Sequence, residues 1–219
     1  MLLIYLLFRT IIICCRIVVC TGISLNFSGT TCVFAVHFLA TNKLFISNLG
    51  DSRCVLCRDQ PCLNESTQML TPFTIFQLSR DHKPDTPGEY ERIISRGGRV
   101  MPIPGLNLGP NRVWLSKLDE PGLAMSRSIG DYIAQSAGTS DEPEITQHTL
   151  IPQQDIFIIF ASDGIWEFMT NEEVIAILYR LRHDSALAVN TLVAEAVKRW
   201  QRESDQVIDD ITVLLVVFR

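Results

Sequence analysis

Before Asp51 this chain has no acidic residue, and His37 is the only histidine in that stretch. Chemistry that needs a carboxylate is therefore confined to residues 51–219. The sequence also lacks a phosphate-cradling GxxxxGK(S/T) loop and a CxxxxxR thiol loop, and its four histidines are too scattered for a Ser–His–Asp set. P-loop nucleotide hydrolysis, thiol-based phosphate transfer and acyl-enzyme chemistry fare poorly on those grounds. Basic residues are not in excess. The formal net charge is −5, so no nucleic-acid partner is expected. Seven cysteines, an odd number, cluster in the first third, four of them in apolar runs. They read as reduced, buried thiols of a cytoplasmic setting. Cys54-Val55-Leu56-Cys57 has no second pair at zinc spacing and reads as core packing.

What is present begins with an apolar leader, residues 1–24, interrupted by Arg9 and Arg16. A membrane helix needs about 20 apolar residues, and each central Arg costs about 2.5–3.5 kcal/mol on insertion scales. A signal peptide places its positive charges first, and this leader does not. Three readings stay open: a poor membrane anchor through residues 1–23, a buried segment, or an aberrant start to the chain. Residues 25–219 read as one domain. At 47% hydrophobic and 20% charged, the composition is that of a globular protein with a large core.

That domain is organised around Phe157-Ile158-Ile159-Phe160-Ala161-Ser162-Asp163-Gly164-Ile165-Trp166-Glu167. The apolar run predicts a strand buried on both faces, with Asp163 at its end and Gly164 permitting a sharp turn. A carboxylate there is costly unless a positive partner meets it, and a divalent cation is the usual one. A second run, Ile211–Phe218, is preceded by Asp209 and Asp210. If the two strands are antiparallel neighbours, Asp163 and Asp209 converge on one hard cation. The alternative is that Asp163 and Asp210 cap turns, and for either stretch alone that reading is preferred. The pair together favours metal.

Short runs at 32–38, 43–48 and 53–57, joined by Asn, Gly and Asp turns, predict an antiparallel meander. Residues 58–76 read as a surface loop and 102–122 as loop-rich. Pro87 opens a helix over 88–96 that Gly97-Gly98 ends. Thr170-Asn171-Glu172-Glu173 is a capping box, and Ser185 is expected to cap a second amphipathic helix with a stripe of Val189, Leu192, Val193, Ala196, Val197 and Trp200. Strands and helices in separate blocks argue for an α+β layered fold.

The order of these blocks resembles the metal-dependent protein serine/threonine phosphatases, the PPM or type 2C family. The resemblance is carried by SGTT (28–31), NLGDSR (48–53), LSRDHKP (78–84), ERIISRGGRV (91–100), GLAMSRSIGD (122–131), EPEI (142–145), FIIFASDGIWEFM (157–169), TNEEV (170–174) and DDITVLLVVF (209–218). It implies a four-layer α-β-β-α sandwich of two antiparallel sheets flanked by helices, with the N-terminal part missing. It also implies hydrolysis of phosphoserine or phosphothreonine in a phosphorylated protein substrate by water activated on two Mn2+ or Mg2+ ions, without a protein nucleophile. By position, Asp163 and Asp209 match metal ligands and Asp131 an aspartate of a weaker third site. Glu167 stands where that weaker site has Asp, and Asp210 replaces the usual Asn. Asp51 and Asp81 are expected to form turns. The family's DGHGG-type segment, an upstream acid and a phosphate-binding Arg have no counterpart in these residues. The expectation is thus an N-terminally truncated phosphatase domain; the alternative is a catalytically dead phosphatase-like binding protein.

Overall fold

The computed structural model describes residues 24–63, 70–106, 109–204 and 207–218. The leader, and with it the membrane-anchor reading, lies outside them. Among the described residues no helix is long and apolar enough to cross a membrane. The described residues divide into two compact units: those within 24–34, 47–51 and 80–145 form the first, and those within 35–46, 52–79 and 146–218 the second.

The second unit holds a four-stranded antiparallel sheet in the order Val213–Val217, Asp155–Ala161, Arg53–Arg58, Thr74–Gln77. The buried run is its central strand, as the double-sided apolar pattern predicts. Val55, Cys57, Phe157, Ile159 and Ala161 turn one face towards Val174, Leu178, Leu192 and Ala196 of two helices, Asn171–Arg180 and Ser185–Glu203. The predicted capping box forms: Glu173 N–H donates to Thr170 Oγ1 (3.3 Å) and Thr170 N–H to Glu173 Oε2 (2.9 Å). The second helix is capped one residue earlier than expected, by Asp184, whose Oδ1 accepts from Leu187 N–H (3.0 Å). Asp is as good a cap as Ser, and here it has the better reach. Arg199 fastens the two helices through Glu173 (2.8 Å) and the Phe168 carbonyl (2.8 Å).

The stretch 58–76 is not a plain loop. It contains a small hairpin, Cys62–Leu63 with Leu70–Thr71, and leads into Thr74–Gln77, the sheet's outer strand. Four residues are too few to show a period, so only the pairing with Val55–Arg58 defines that strand. A further sheet takes Glu144–Thr149, Lys43–Leu49 and Cys32–Phe38 in that order.

In the first unit, helix Glu89–Ser95 packs Ile93 against Val113 and Ala137, with Val100 and Leu115 beside them. Three short antiparallel strands, Arg99–Met101, Arg112–Trp114 and Pro121–Leu123, run through the stretch read as loop-rich. Gly29–Thr30 pairs with Ile129–Gly130.

Candidate metal centre

The strand pairing that the sequence left conditional is present. Asp155–Ala161 and Val213–Val217 are antiparallel neighbours, with Phe157 opposite Val217 and Ala161 opposite Val213. The end of one strand therefore lies beside the start of the other. Ser162 knits the two together. Its N–H donates to the Thr212 carbonyl (3.1 Å), its Oγ accepts from Thr212 N–H (3.0 Å), and its hydroxyl donates to the Asp210 carbonyl (3.1 Å).

Asp163, half-buried, opens the short helix Asp163–Trp166 against this join. Gly164 follows because nothing larger fits. A Cβ there would lie 2.6 Å from the Asp210 carbonyl oxygen and 3.0 Å from Ile211 Cγ1. Trp200 Nε1–H holds the Gly164 carbonyl from the other side (2.7 Å), so the turn cannot retreat. Gly164→Ala is expected to cost about 1–3 kcal/mol through overpacking. It should also weaken Mn2+ binding by displacing the 209–212 segment. Parallel urea-unfolding and Mn2+ titrations check this, and loss of stability with intact Mn2+ affinity would separate the glycine from the site.

Asp209 and Asp210 are exposed. Asp210 N–H donates to Asp209 Oδ1 (2.7 Å). A carboxylate has further lone pairs, so that bond and cation binding are compatible. Glu167, also exposed, follows one helical turn after Asp163, and its N–H donates to the Asp163 carbonyl (2.8 Å). Among the described residues no three His, Cys, Asp or Glu side chains gather to hold an ion. The strand join brings Asp163 and Asp209, two hard carboxylates, onto adjoining backbone segments. That suits Mg2+ or Mn2+, which keep several waters and accept one or two carboxylates. It does not suit a soft or fully caged ion.

Asp131 belongs to the first unit. It is buried at 8% exposure, in left-handed backbone (φ 50°, ψ 48°), and its carboxylate presses on the backbone of Gly29, where any Cβ would overlap it. Asp51 is buried and ion-paired with Lys83 Nζ (2.5 Å).

Sequence reasoning missed the groups that brace these turns in the first unit. His82 is fully buried. Its N–H donates to the Gly50 carbonyl (3.0 Å) and its Nδ1 accepts from Gly50 N–H (3.0 Å). The ring proton is therefore on Nε2, which donates to Glu144 Oε2 (3.2 Å). Burial, then the charge of Arg127, hold its pKa below the ordinary imidazole value against the pull of Glu89 and Glu144. The unfolded chain thus takes up a proton near pH 6.5 that the folded chain refuses. Stability from this group is complete above about pH 6.5 and is lost as pH falls from there towards the folded pKa. His148, likewise depressed by burial first, adds a slope of the same sign. His82→Gln should flatten part of the decline in urea midpoint between about pH 7 and 5. An unchanged slope would show that His82 protonates freely in the fold.

Glu89, 1% exposed, accepts from Arg127 Nη2 (2.6 Å) and Nε (3.1 Å), Arg92 Nη2 (3.0 Å) and the Ser126 hydroxyl (2.5 Å). Arg127 also donates to the Glu142 carbonyl and Arg92 to the Gly138 carbonyl, so one carboxylate steadies the loops on both sides of Asp131. The available signal was Glu89-Tyr90-Glu91-Arg92, whose first acid and arginine stand within one helical turn, but that pattern is common on solvated helices.

Comparison with known proteins gives a consistent result. A family model described as Protein phosphatase 2C matches residues 25–205. "Probable protein phosphatase 2C 61" of Arabidopsis thaliana is 37% identical over 190 residues, covering 85% of this chain and 54% of its own length. "Probable protein phosphatase 2C 73" of Oryza sativa subsp. japonica is 38% identical over 201 residues, covering 91% of this chain and 44% of its own length. The chain thus spans about half the length of the curated relatives it matches. The crystal structure of serine-threonine phosphatase 2C from Toxoplasma gondii superposes with a TM-score of 0.70 at 26% identity, over 89% of this chain and 60% of that one. A C. elegans sex determining protein shares the fold, with a TM-score of 0.66 at 21% identity over 87% of this chain and 40% of that one. The antiparallel sheets and helices described above match these structures.

Proposed function

The chain belongs to the protein phosphatase 2C family, and we propose that it acts within metal-dependent hydrolysis of phosphoserine or phosphothreonine in protein substrates. Residues 25–219 form the phosphatase domain in this reading. Asp163 and Asp209 hold a Mn2+ or Mg2+ ion at the strand join; Asp131 of the first unit serves a weaker cation, and Glu167 is a separate candidate ligand of the second unit. The observation that carries the reading is the register placing Ala161 opposite Val213, which sets the Asp163 turn against the Asp209–Asp210 segment.

A bound hard cation supplies an activated water and screens the phosphate's negative charge. The chain's own contribution is placement. Ser162, Gly164 and Trp200 fix the turn carrying Asp163, and the antiparallel ladder fixes the distance along the strands at which Asp209 enters. Neither Asp163 nor Asp209 is asked to attack phosphorus. No side chain described at the join is a nucleophile of the Cys or His type, in keeping with direct attack by water.

The test is a Mn2+ titration of the purified chain, followed by hydrolysis of a phosphothreonine peptide with and without Mn2+. Saturable Mn2+ binding and Mn2+-dependent phosphate release support the proposal. Absent Mn2+ binding overturns the metal site. Intact Mn2+ binding without phosphate release in this chain overturns turnover and leaves the phosphoprotein-binding alternative.

A further inference from the structure

The four-stranded sheet of the second unit ends on one side at Val213–Val217, whose one neighbour among the described strands is Asp155–Ala161. Phe218 N–H donates to the Ile156 carbonyl (2.9 Å) and Ser162 N–H to the Thr212 carbonyl (3.1 Å). Even-numbered residues of this segment thus turn their backbone groups inward, and in an antiparallel pair that direction alternates along the strand. The N–H and C=O groups of Val213, Leu215 and Val217 therefore point out from the edge of the sheet, where no described strand meets them.

Such an edge invites a further strand, and proteins normally guard it with Lys, Pro, a bulge or a covering element. Val213–Val217 carries no charge and no proline, and its ladder to Asp155–Ala161 runs without a register shift. Leu214 is 56% exposed, and Val216 and Val217 are 39% exposed each. An unbroken, β-prone apolar run on an open edge is a template for pairing.

The edge selects its partner because it is complementary to itself. A two-fold axis through Leu215 lays the strand antiparallel to a copy of itself, with Leu215 opposite Leu215 and Val213 opposite Val217. The outward residues of each copy then face the same residues of the other, so every outward N–H finds an outward C=O. Exposed Leu214 comes to lie opposite exposed Val216, which makes an apolar cross-strand pair on each side of the axis. Charge favours the same register. Asp209 and Asp210 precede the strand and Arg219 follows it, so acid at one end of each copy meets base at the end of the other. Position 219 of one copy falls diagonal to position 209 of the other, a separation that a long side chain spans. We infer that Val213–Val217 is a dimerisation edge, to which a second copy of this chain adds its own Val213–Val217 antiparallel, in a closed two-fold pair. The inference does not rest on the phosphatase reading.

The experiment is sedimentation velocity of the full chain over about 1–300 μM, joined to residue-resolved amide hydrogen exchange. A monomer–dimer equilibrium with Kd on the order of 10 μM is expected, because one strand pair is a small interface. On dimerisation the amides of Val213, Leu215 and Val217 should slow. Those of Leu214 and Val216 face the Asp155–Ala161 ladder and should be protected already in the monomer. Leu214→Lys combined with Val216→Lys, both at exposed positions, sets like charges opposite each other across the seam. It should weaken the dimer by more than about tenfold and leave the thermal melt of the monomer unchanged. Arg219→Glu, outside the strand, should weaken it by about three- to tenfold and reduce its salt dependence. A monomer at every concentration overturns the inference, and slow Val213, Leu215 and Val217 amides in that monomer would assign the edge to a segment of the same chain. A dimer of unchanged affinity in the double lysine variant also overturns it, as do unchanged edge amides in the dimer or association that continues beyond two copies.

Discussion

Glu89→Ala is expected to destabilise the chain by about 3–5 kcal/mol, the cost of leaving buried charge without its partner. Glu89 is 1% exposed, and its two arginine partners have side chains only 15% and 25% exposed. Removing the carboxylate strands both guanidinium groups and the Ser126 hydroxyl in one step. Glu173 is the internal comparison. It pairs with Arg199 at a similar distance but is 41% exposed, so that ion pair is worth at most about 1 kcal/mol after solvent screening. Urea unfolding of the two variants checks the contrast, and equal losses would show that the buried cluster is not a stabilising centre.

The same cluster predicts behaviour in acid. Burial alone would raise the Glu89 pKa, but the hydrogen bonds from Arg127, Arg92 and Ser126 outweigh it and hold the carboxyl far below the ordinary range. Its contribution is therefore complete above the unfolded value of about 4.3 and is lost as pH falls below that value towards the folded pKa. Glu89→Gln should remove that acid-side slope and, by withdrawing a charge that favours protonated His82, extend the His82 slope to lower pH.

Asp163→Asn is expected to weaken Mn2+ binding by more than about 100-fold, since even residues that only support a metal ligand cost 10–100-fold when altered. The substitution is nearly isosteric, so the strand join should survive. Ser162 still bonds the 210–212 segment on both sides, and Gly164 still fits beneath Asp210. The discriminating measurement is paired: Mn2+ affinity by titration and thermal stability without metal. Affinity lost at unchanged stability identifies Asp163 as a ligand. Both retained would return Asp163 to the turn-capping role that its position alone also allowed.

The central strand and its terminal acid were legible because Phe157–Phe160 is apolar on both faces and Asp163-Gly164 breaks the run abruptly. The helix at Asn171 was legible because a capping box is local, its two hydrogen bonds joining Thr170 and Glu173. Thr74–Gln77 was not, since so short a strand exists only through its ladder to Val55–Arg58. Arg112–Trp114 and Pro121–Leu123 were hidden for the same reason among prolines and glycines.

The polar braces were hidden more deeply. Glu89 meets Arg127 across 38 positions and His82 meets Gly50 across 32. Neither pairing leaves a mark on the periodicity near either residue.

The sequence by itself determined the kind of fold, the family, and the identity of the acids beside the central strand. Those depend on local pattern and on residue types in order, which a linear chain displays. Tertiary structure alone decided that Asp163 and Asp209 enter from adjoining segments, that Asp131 is buried against Gly29, and that His82 and Glu89 fasten the first unit's loops. Those are outcomes of packing between distant residues, where burial turns an ordinary charge or ring nitrogen into a strong constraint because water is no longer there to satisfy it.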